Sequence, residues 1–138
     1  MKLFVDTWGW LALADRNDTK HRVAADCYRE RSKQRKHVVT SNFVLDELLT
    51  LLFLRLPFAE AAKFANAILA SPSVATELVT QDRFRTAMAY RLKLADKPRI
   101  SFTDLTSMII MKELGISDVL TADNHFVQVG LGFHILAE

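Results

Sequence analysis

Short hydrophobic runs alternate along this chain with longer segments in which hydrophobic residues recur at helical spacing. Strand-like runs occupy 2–6, 37–41 and 74–78, and two more occur in "DVLTAD" and "FHIL" near the end. Helical spacing predicts helices at about 7–15, 20–34, 43–55, 58–70, 80–93 and 103–114. Pro57 separates two of these helices, and Gly115 is expected to end the last as its C′ residue. Strands separated by helices predict an α/β fold with a mainly parallel sheet.

Two aspartates stand at the carboxyl ends of predicted strands, where parallel sheets place their functional sites. Asp6 ends the first strand in "KLFVDTW", and Asp123 follows the strand in "DVLTAD". Asp118 precedes that second strand, so we expect it at the opposite edge and exclude it. Asp6 is equally well explained as the N-cap of the next helix, and Asp123 as a turn or N-cap residue. Position alone does not decide between these roles.

A third aspartate, Asp104, opens the helix that follows "RISF". Its spacing from Ser101 resembles a capping box, and an acidic residue is favoured in a first helical turn. A structural role therefore explains Asp104 taken by itself. Its position after an extended segment still allows it to face the edge of the sheet where Asp6 and Asp123 are expected.

Two adjacent acids in "SNFVLDELLTLLF" are separated by helix geometry. Asp46 shares a stripe with Asn42 and Thr50, so we expect it to face water. Glu47 instead has Phe43, Val44 and Leu51 as helical neighbours, which places it on an apolar, buried face. A buried carboxylate requires a charge partner, either a distant arginine or a metal ion.

If these acids converge on one edge of the sheet, four carboxylates share one pocket: those of Asp6, Glu47, Asp104 and Asp123. Their mutual repulsion would raise their pKa values unless a cation neutralised them. Oxygen ligands suit a hard divalent ion such as Mg²⁺ or Mn²⁺. The pattern therefore predicts a metal site, and a metal at a sheet edge suggests phosphate chemistry.

Composition narrows the class of protein. The 138 residues fit one domain, 1–138, since no linker or repeat divides them. The net charge of +2 indicates neither a strong nucleic-acid nor a membrane binder by overall field, and one cysteine excludes a disulfide framework. We see no signal peptide, and the apolar run at 43–56 is too short and too often interrupted by charge to span a bilayer. These features favour a cytoplasmic protein.

The motifs "FVDT", "SNFVLDELLTLL", "SFTDLTSMIIMKELGI" and "VLTADNHF" followed by "GFHIL" resemble, in this order, the PIN-domain family and its VapC-like toxin ribonucleases. The resemblance covers essentially the whole chain. It implies a single-domain Rossmann-like α/β/α sandwich and an acidic pocket that binds Mg²⁺ or Mn²⁺ and hydrolyses single-stranded RNA. Carried over by position, the catalytic and metal-binding acids are Asp6, Glu47, Asp104 and Asp123, with Asp6 the most direct ligand. Thr7 and Thr121 match supporting hydroxyl positions.

The resemblance also implies partners, an antitoxin and a second copy of the chain. Apolar residues in 43–69 exceed what one helical hairpin can bury and could serve either contact, although ordinary core packing also explains much of this surface; they are Leu48, Leu49, Leu52, Phe53, Leu56, Phe58 and Phe64. Trp8 and Trp10 are interpreted as core residues, and His125 as the histidine closest to the acids. Basic residues near helix ends, such as Arg83 and Arg91, are possible RNA contacts.

Three other functions remain open at the level of sequence. The same nuclease could act in RNA processing or quality control without an antitoxin. A strand ending in Asp6 also occurs in phosphatases and phosphoacceptor domains that form an aspartyl-phosphate, although Trp8 stands where one such class has a second aspartate. A non-catalytic binding module that retains the pocket is the last alternative.

Overall fold

A five-stranded parallel sheet forms the centre of the computed structural model, which describes residues 1–135. Its strands are β1 (Leu3–Val5), β2 (Val38–Ser41), β3 (Val74–Glu77), β4 (Asp118–Leu120) and β5 (His134–Ile135). They lie in the order β3-β2-β1-β4-β5, and each neighbouring pair is parallel. The predicted α/β class and parallel sheet are confirmed. Leu136, the last residue of the predicted "FHIL" strand, lies outside the described residues.

Helices connect the strands and flank the sheet. They are α1 (Thr7–Ala14), α2 (His21–Arg31), α3 (Asn42–Arg55), α4 (Phe58–Ala70), α5 (Gln81–Lys93), α6 (Phe102–Leu114) and α7 (His125–Gln128). Helix α1 packs against α2 and α3, whereas α6 packs against α5, α3 and α7. The sequence did not predict α7, because one helical turn is too short to show periodicity. Gly115 ends α6 in the left-handed conformation, φ 69°, as predicted.

The core is built around β1, whose Leu3, Phe4 and Val5 are completely buried. Trp10 on α1 packs edge-on against Tyr28 and Phe64, and its Nε1 donates a hydrogen bond to the Thr40 hydroxyl at 3.1 Å. The Thr40 hydroxyl in turn donates to the Val5 carbonyl. These bonds satisfy the polar atoms that accompany Trp10 into the core, as buried polar groups require.

The other tryptophan contradicts its assignment to the core. The Trp8 side chain is 44% exposed, whereas Trp10 is 1% exposed. Two positions along a helix correspond to a rotation of about 200°, so the two side chains leave α1 on nearly opposite sides. Only one of them can face the sheet.

Helix α1 lies unusually close to β4. A Cβ atom added to Gly9 would lie 2.1 Å from the Leu120 carbonyl oxygen and 3.0 Å from Val5 Cγ1. No side chain fits in that space, so glycine is what allows the first turn of α1 to contact the strand backbone directly. This contact places the N-terminus of α1 directly on the carboxyl ends of β1 and β4, which the sheet pairs side by side.

The apolar surface predicted over 43–69 is smaller than the sequence suggested. Leu48 and Leu52 are fully buried in the core, whereas Phe53 and Phe58 are 41% and 77% exposed. The rings of the two phenylalanines contact each other at a centroid distance of 5.2 Å. Among residues 1–135, no helix combines the length and apolar character needed to cross a membrane.

Candidate active site

Asp6 sits at the carboxyl end of β1 and is 2% exposed. It caps α1, because its Oδ1 accepts a hydrogen bond from the Gly9 N–H at 2.8 Å. Its Oδ2 is buried and accepts no hydrogen bond of good geometry. The two explanations of Asp6 are therefore not exclusive, because one oxygen caps the helix while the other remains buried at the candidate site.

Asp123 is held beside Asp6 by the register of the sheet. Val5 pairs with Leu120, which aligns the ends of β1 and β4. The buried hydroxyl of Thr121 accepts a hydrogen bond from the Asp123 N–H at 3.0 Å. Thr121 also stabilises the charged form of Asp6. A single threonine thus contacts both acids, which supports the place that the sequence resemblance gave it.

Asp104 enters the site from the first turn of α6. Ser101 caps this helix by accepting a hydrogen bond from the Asp104 N–H at 3.0 Å, as the sequence spacing predicts. The Asp104 carboxylate oxygen Oδ2 lies 3.7 Å from His125 Nδ1, and Asp123 Oδ1 lies 3.0 Å from the same nitrogen. Among the described residues, Asp104, Asp123 and His125 form the group whose potential ligand atoms all lie within 4.8 Å of one another.

Two of these carboxyl groups have strongly perturbed acidities. Burial raises the pKa of Asp6 to about 8, opposed by hydrogen bonds from Thr121 and Gly9 and reinforced by the charges of Asp104 and Asp123. Burial, followed by repulsion from Asp123, raises the pKa of Asp104 to about 7. Both shifts have the direction expected when carboxylates share a site without a neutralising cation.

Glu47 does not occupy the buried position that the helical pattern predicted. It is exposed, as is Asp46, while the buried residues of α3 are Val44, Leu45, Leu48 and Leu52. The prediction was wrong because Phe43 and Leu51, which defined its apolar face, are themselves only half-buried. Glu47 still lies near the site, because its charge helps to raise the pKa of Asp104.

His125 belongs to the candidate site, although the sequence analysis named it only as the histidine closest to the acids. It is the first residue of α7, and its backbone N–H donates to Asp123 Oδ1 at 2.9 Å. Its Nδ1 is buried and lacks a well-aligned hydrogen-bond partner. The sequence signal was its position two residues after Asp123, in a turn that brings both side chains to one point.

Thr7 directly follows Asp6 and is 3% exposed. Its hydroxyl oxygen, like Asp6 Oδ2, is buried without a hydrogen-bond partner. Two adjacent polar atoms left unsatisfied by the chain itself are unusual, because native proteins satisfy nearly all such atoms. Among the described residues, Asp6 lies outside the group of Asp104, Asp123 and His125 whose ligand atoms are within 4.8 Å of one another, although the charges of Asp104 and Asp123 act on it. The carboxylate oxygens of the three aspartates are donors of the type that suits a hard divalent ion.

Comparison with known proteins gives this arrangement a context. A model of the PIN domain matches residues 3–131. The "23S rRNA-specific endonuclease VapC20" of Mycobacterium tuberculosis is 35% identical over 128 residues, covering 93% of this chain and 94% of that protein. The crystal structure of that protein, described as a "Sarcin-Ricin loop cleaving toxin", superposes with a TM-score of 0.86 and 32% identity, covering 99% of this chain and 100% of that one.

A more distant structure shares the fold. The crystal structure of PAE2754 from Pyrobaculum aerophilum has a TM-score of 0.65 and 16% identity, and covers 99% of this chain and 91% of that one. At this level of identity the likeness concerns only the arrangement of strands and helices.

Proposed function

Because the chain belongs to the PIN-domain family, we propose that it is a metal-dependent endoribonuclease and the toxin of a type II toxin–antitoxin pair. The observation that carries the proposal is the cluster of mutually repelling carboxylates at the carboxyl edge of the sheet. Asp6, Asp104 and Asp123 influence one another electrostatically, and Asp6 Oδ2 is buried without a partner. An anionic substrate approaches such a cluster only when a cation is present.

The metal, Mg²⁺ or Mn²⁺, would be held by Asp104, Asp123 and the free oxygen of Asp6, with His125 beside them. When bound, it lowers the pKa of a water molecule and neutralises charge on the phosphate oxygens. The protein orients these ligands through short hydrogen bonds. Gly9 fixes the rotamer of Asp6, Thr121 fixes the backbone at Asp123, and the Asp123 carboxylate accepts the His125 N–H.

Glu47 takes a different role from the other three acids in this proposal. It is exposed, so it stays solvated at the entrance of the site. From there it can orient the attacking water or contact the metal through water. Thr7 supports the pocket with its buried hydroxyl, and Thr121 with the hydroxyl that contacts both Asp6 and Asp123.

We further propose that the substrate is a single-stranded loop of large-subunit ribosomal RNA. The support is the identity of 35% over nearly the full length to an endonuclease named for 23S rRNA. Loops suit this chemistry because their nucleotides are unstacked and their phosphates are accessible to a concave site.

An antitoxin and a second copy of the chain are the proposed partners, in the cytoplasm where ribosomes are found. Exposed apolar side chains on α3 and α4, such as Leu54 at 76% and Phe58 at 77%, offer a surface for such contacts. An amphipathic helix could bury this surface, as in other helix-in-groove complexes.

The test is cleavage of ribosomal RNA by the purified protein. Intact ribosomes and an RNA hairpin with the sarcin–ricin sequence would be incubated with protein, Mg²⁺ or Mn²⁺, and separately with EDTA. We expect a discrete cut that requires the metal, and growth arrest when the protein is expressed. Binding without cleavage under all metal conditions would contradict the nuclease and favour a binding module, while cleavage without growth arrest would favour RNA processing.

A further inference from the structure

Trp8 is an exposed aromatic residue at the edge of the candidate active site. It is the second residue of α1 and lies two positions after Asp6. Its indole is 44% exposed, although a tryptophan at the first turn of a helix could easily be packed against the neighbouring helices. Singly exposed apolar side chains are common on protein surfaces, so exposure alone does not distinguish Trp8. What distinguishes it is its position beside a candidate site for a polymeric substrate.

The ring lines a cleft together with the segment that carries two of the site residues. This cleft has a volume of about 490 Å³, and its walls are Trp8, Ala122, Asp123, Asn124, His125 and Gln128. A nucleotide bound in this cleft would contact the indole and the Asp123–His125 turn at the same time. The aromatic surface and the acids are therefore parts of one binding space.

The guanidinium of Arg55 lies over the Trp8 ring. Its Cζ atom lies 5.1 Å from the centre of that ring. This cation–π contact restricts the ring while leaving the arginine exposed at the end of α3. A planar guanidinium in this position can also donate hydrogen bonds to a phosphate.

Other basic residues near the helix ends are already used for structure. Arg83 forms ion pairs with Glu77 and Glu113 at 3.0 Å. Arg91 donates hydrogen bonds to the carbonyl oxygens of Leu94, Lys97 and Ile100. Arg83 and Arg91 are therefore engaged within the protein. Stacking on an aromatic ring offers an RNA strand near a pocket of acids an attractive contact that does not depend on charge.

Resting on the nuclease function proposed above, we propose that Trp8 is a stacking platform for an RNA base next to the cleaved phosphate. Arg55 orders the ring and binds a neighbouring phosphodiester. Trp8 thereby positions the strand over the acids, and it makes no contact with the reacting atoms. The platform accepts any base, because every base has a π face.

Fluorescence makes this proposal directly measurable, because Trp8 and Trp10 are the two tryptophans and Trp10 is buried. The inactive variant Asp6→Asn, with Mg²⁺, would be titrated with the sarcin–ricin hairpin. We expect quenching on binding, and no quenching when Trp8→Phe is added to the same background. Unchanged fluorescence in the Trp8-containing protein at saturating RNA would overturn the proposal.

Affinity provides the second readout. Trp8→Ala should raise Kd for the hairpin by roughly 5- to 100-fold, the range for loss of one base–aromatic contact, while Trp8→Phe should keep most of the affinity. Leu69→Ala removes another exposed apolar side chain, on α4, and should leave Kd unchanged. Equal Kd values for Trp8→Ala and the parent would contradict the platform, provided that both have the same melting temperature.

Abasic substitution distinguishes stacking from a general loss of binding. Hairpins with one base removed at each position in turn would be measured against Trp8 and Trp8→Ala proteins. We expect one position at which removal of the base weakens binding to the protein that has Trp8 but does not weaken binding to the Trp8→Ala variant. Identical penalties at every position in both proteins would overturn the proposal.

Cleavage by otherwise wild-type protein separates this proposal from the underlying function. Trp8→Ala should raise KM for the hairpin more than it lowers kcat, whereas Asp6→Asn should remove cleavage. A protein that cleaves no RNA refutes the nuclease function but leaves the fluorescence test of Trp8 valid. If the wild-type protein cleaves the hairpin and Trp8→Ala has the same KM and kcat, the stacking platform is refuted and the nuclease function is not.

Discussion

The two ends of the central strands carry aspartates in opposite electrostatic situations. At the amino end of β4, Asp118 Oδ2 lies 2.9 Å from Arg31, which also approaches the carbonyl oxygens of Met1 and Lys2. At the carboxyl end of β1, Asp6 is equally buried but has no basic side chain beside it among the residues described. Both acids border the same sheet, and only one is neutralised by the protein.

In the proposed site, this difference separates an acid that stabilises the fold from acids that would bind a ligand. Burying an unpaired carboxylate opposes folding, so pairing with arginine is the stable solution where structure is the only requirement. Asp118 is paired with Arg31 at one end of the sheet, whereas Asp6 at the other end is not paired with an arginine. The cost of unfavourable burial at Asp6 and Asp104 is expected to be offset when a cation binds.

The largest expected effect is on cleavage. Asp6→Asn should reduce RNA cleavage by at least roughly 100-fold, since loss of a positioned catalytic group has effects of this size. Asp118→Asn is the matched control, because it changes the same atoms at the other end of the sheet. We expect it to retain cleavage within about threefold while lowering the free energy of unfolding by about 1–2 kcal/mol through the weakened contact with Arg31.

If Asp118→Asn abolished cleavage without unfolding the protein, the distinction between the two ends would be wrong. Equal cleavage by Asp6→Asn and wild type would remove Asp6 from the active site. Initial rates on the sarcin–ricin hairpin and urea unfolding of each variant provide both comparisons.

The second effect is on the pH dependence of stability. The pKa values of about 8 for Asp6 and about 7 for Asp104 exceed the usual 3.8, so the folded state holds these protons more tightly than the unfolded state. Binding of these two protons therefore stabilises the metal-free folded state fully below about pH 4. The stabilisation is lost as the pH rises to about 7 for Asp104 and about 8 for Asp6, by up to about 1.4 kcal/mol per pH unit for each group.

Asp6→Asn should flatten this decline and make the metal-free protein more stable than wild type at pH 8. Asp118→Asn should keep the wild-type slope. Urea unfolding in EDTA at several pH values measures the effect, and an unchanged slope in Asp6→Asn would show that Asp6 does not hold the proton.

Metal binding should have the third largest effect. At pH 8, a divalent ion at 100 times its Kd should raise the free energy of unfolding by about 2.7 kcal/mol, because it binds only the folded state. Asp104→Asn should lose most of this gain, whereas Asp118→Asn should keep it. Thermal melts with Mg²⁺, compared with NaCl of equal ionic strength, test this, and an equal gain in both variants would place the ion elsewhere.

The smallest effect compares two adjacent acids on α3. Glu47→Gln should lower kcat by about 10-fold, because Glu47 acts at the entrance and not among the buried acids. Asp46→Asn should change kcat by less than about twofold. Since both side chains are exposed, neither change should alter the free energy of unfolding by more than about 0.5 kcal/mol. A larger loss of cleavage for Asp46→Asn would reverse their assignment.

The sequence predicted the fold, and it predicted that Asp6, Asp104 and Asp123 would meet at one edge of the sheet, because both features depend on local order. Strands ending in Asp6 and preceding Asp123 must meet at one edge once the sheet is parallel, and Ser101 fixes where α6 begins. The exposure of Glu47 and Trp8 was not predictable in this way. Helix α3 is apolar over much of its circumference, so the pattern does not define which side faces the core.

The sequence did not predict His125 as a site residue, for a different reason. Its role depends on a turn in which the Asp123 carboxylate accepts the His125 N–H, and on the meeting of α7 with α6. Such contacts arise from tertiary structure and leave no periodic trace in the sequence.

Gly9 sets a dimension of the active site that mutation of the acids cannot change. Because Gly9 has no side chain, the backbone of α1 contacts the Leu120 carbonyl, and the Gly9 N–H donates a hydrogen bond to Asp6 Oδ1. The distance between the first turn of α1 and the paired ends of β1 and β4 is therefore fixed by contact between backbone atoms. Substitution of the ligand side chains to change the preferred ion would leave the backbone around the site where it is. A larger or smaller cavity would require a shift of α1 itself.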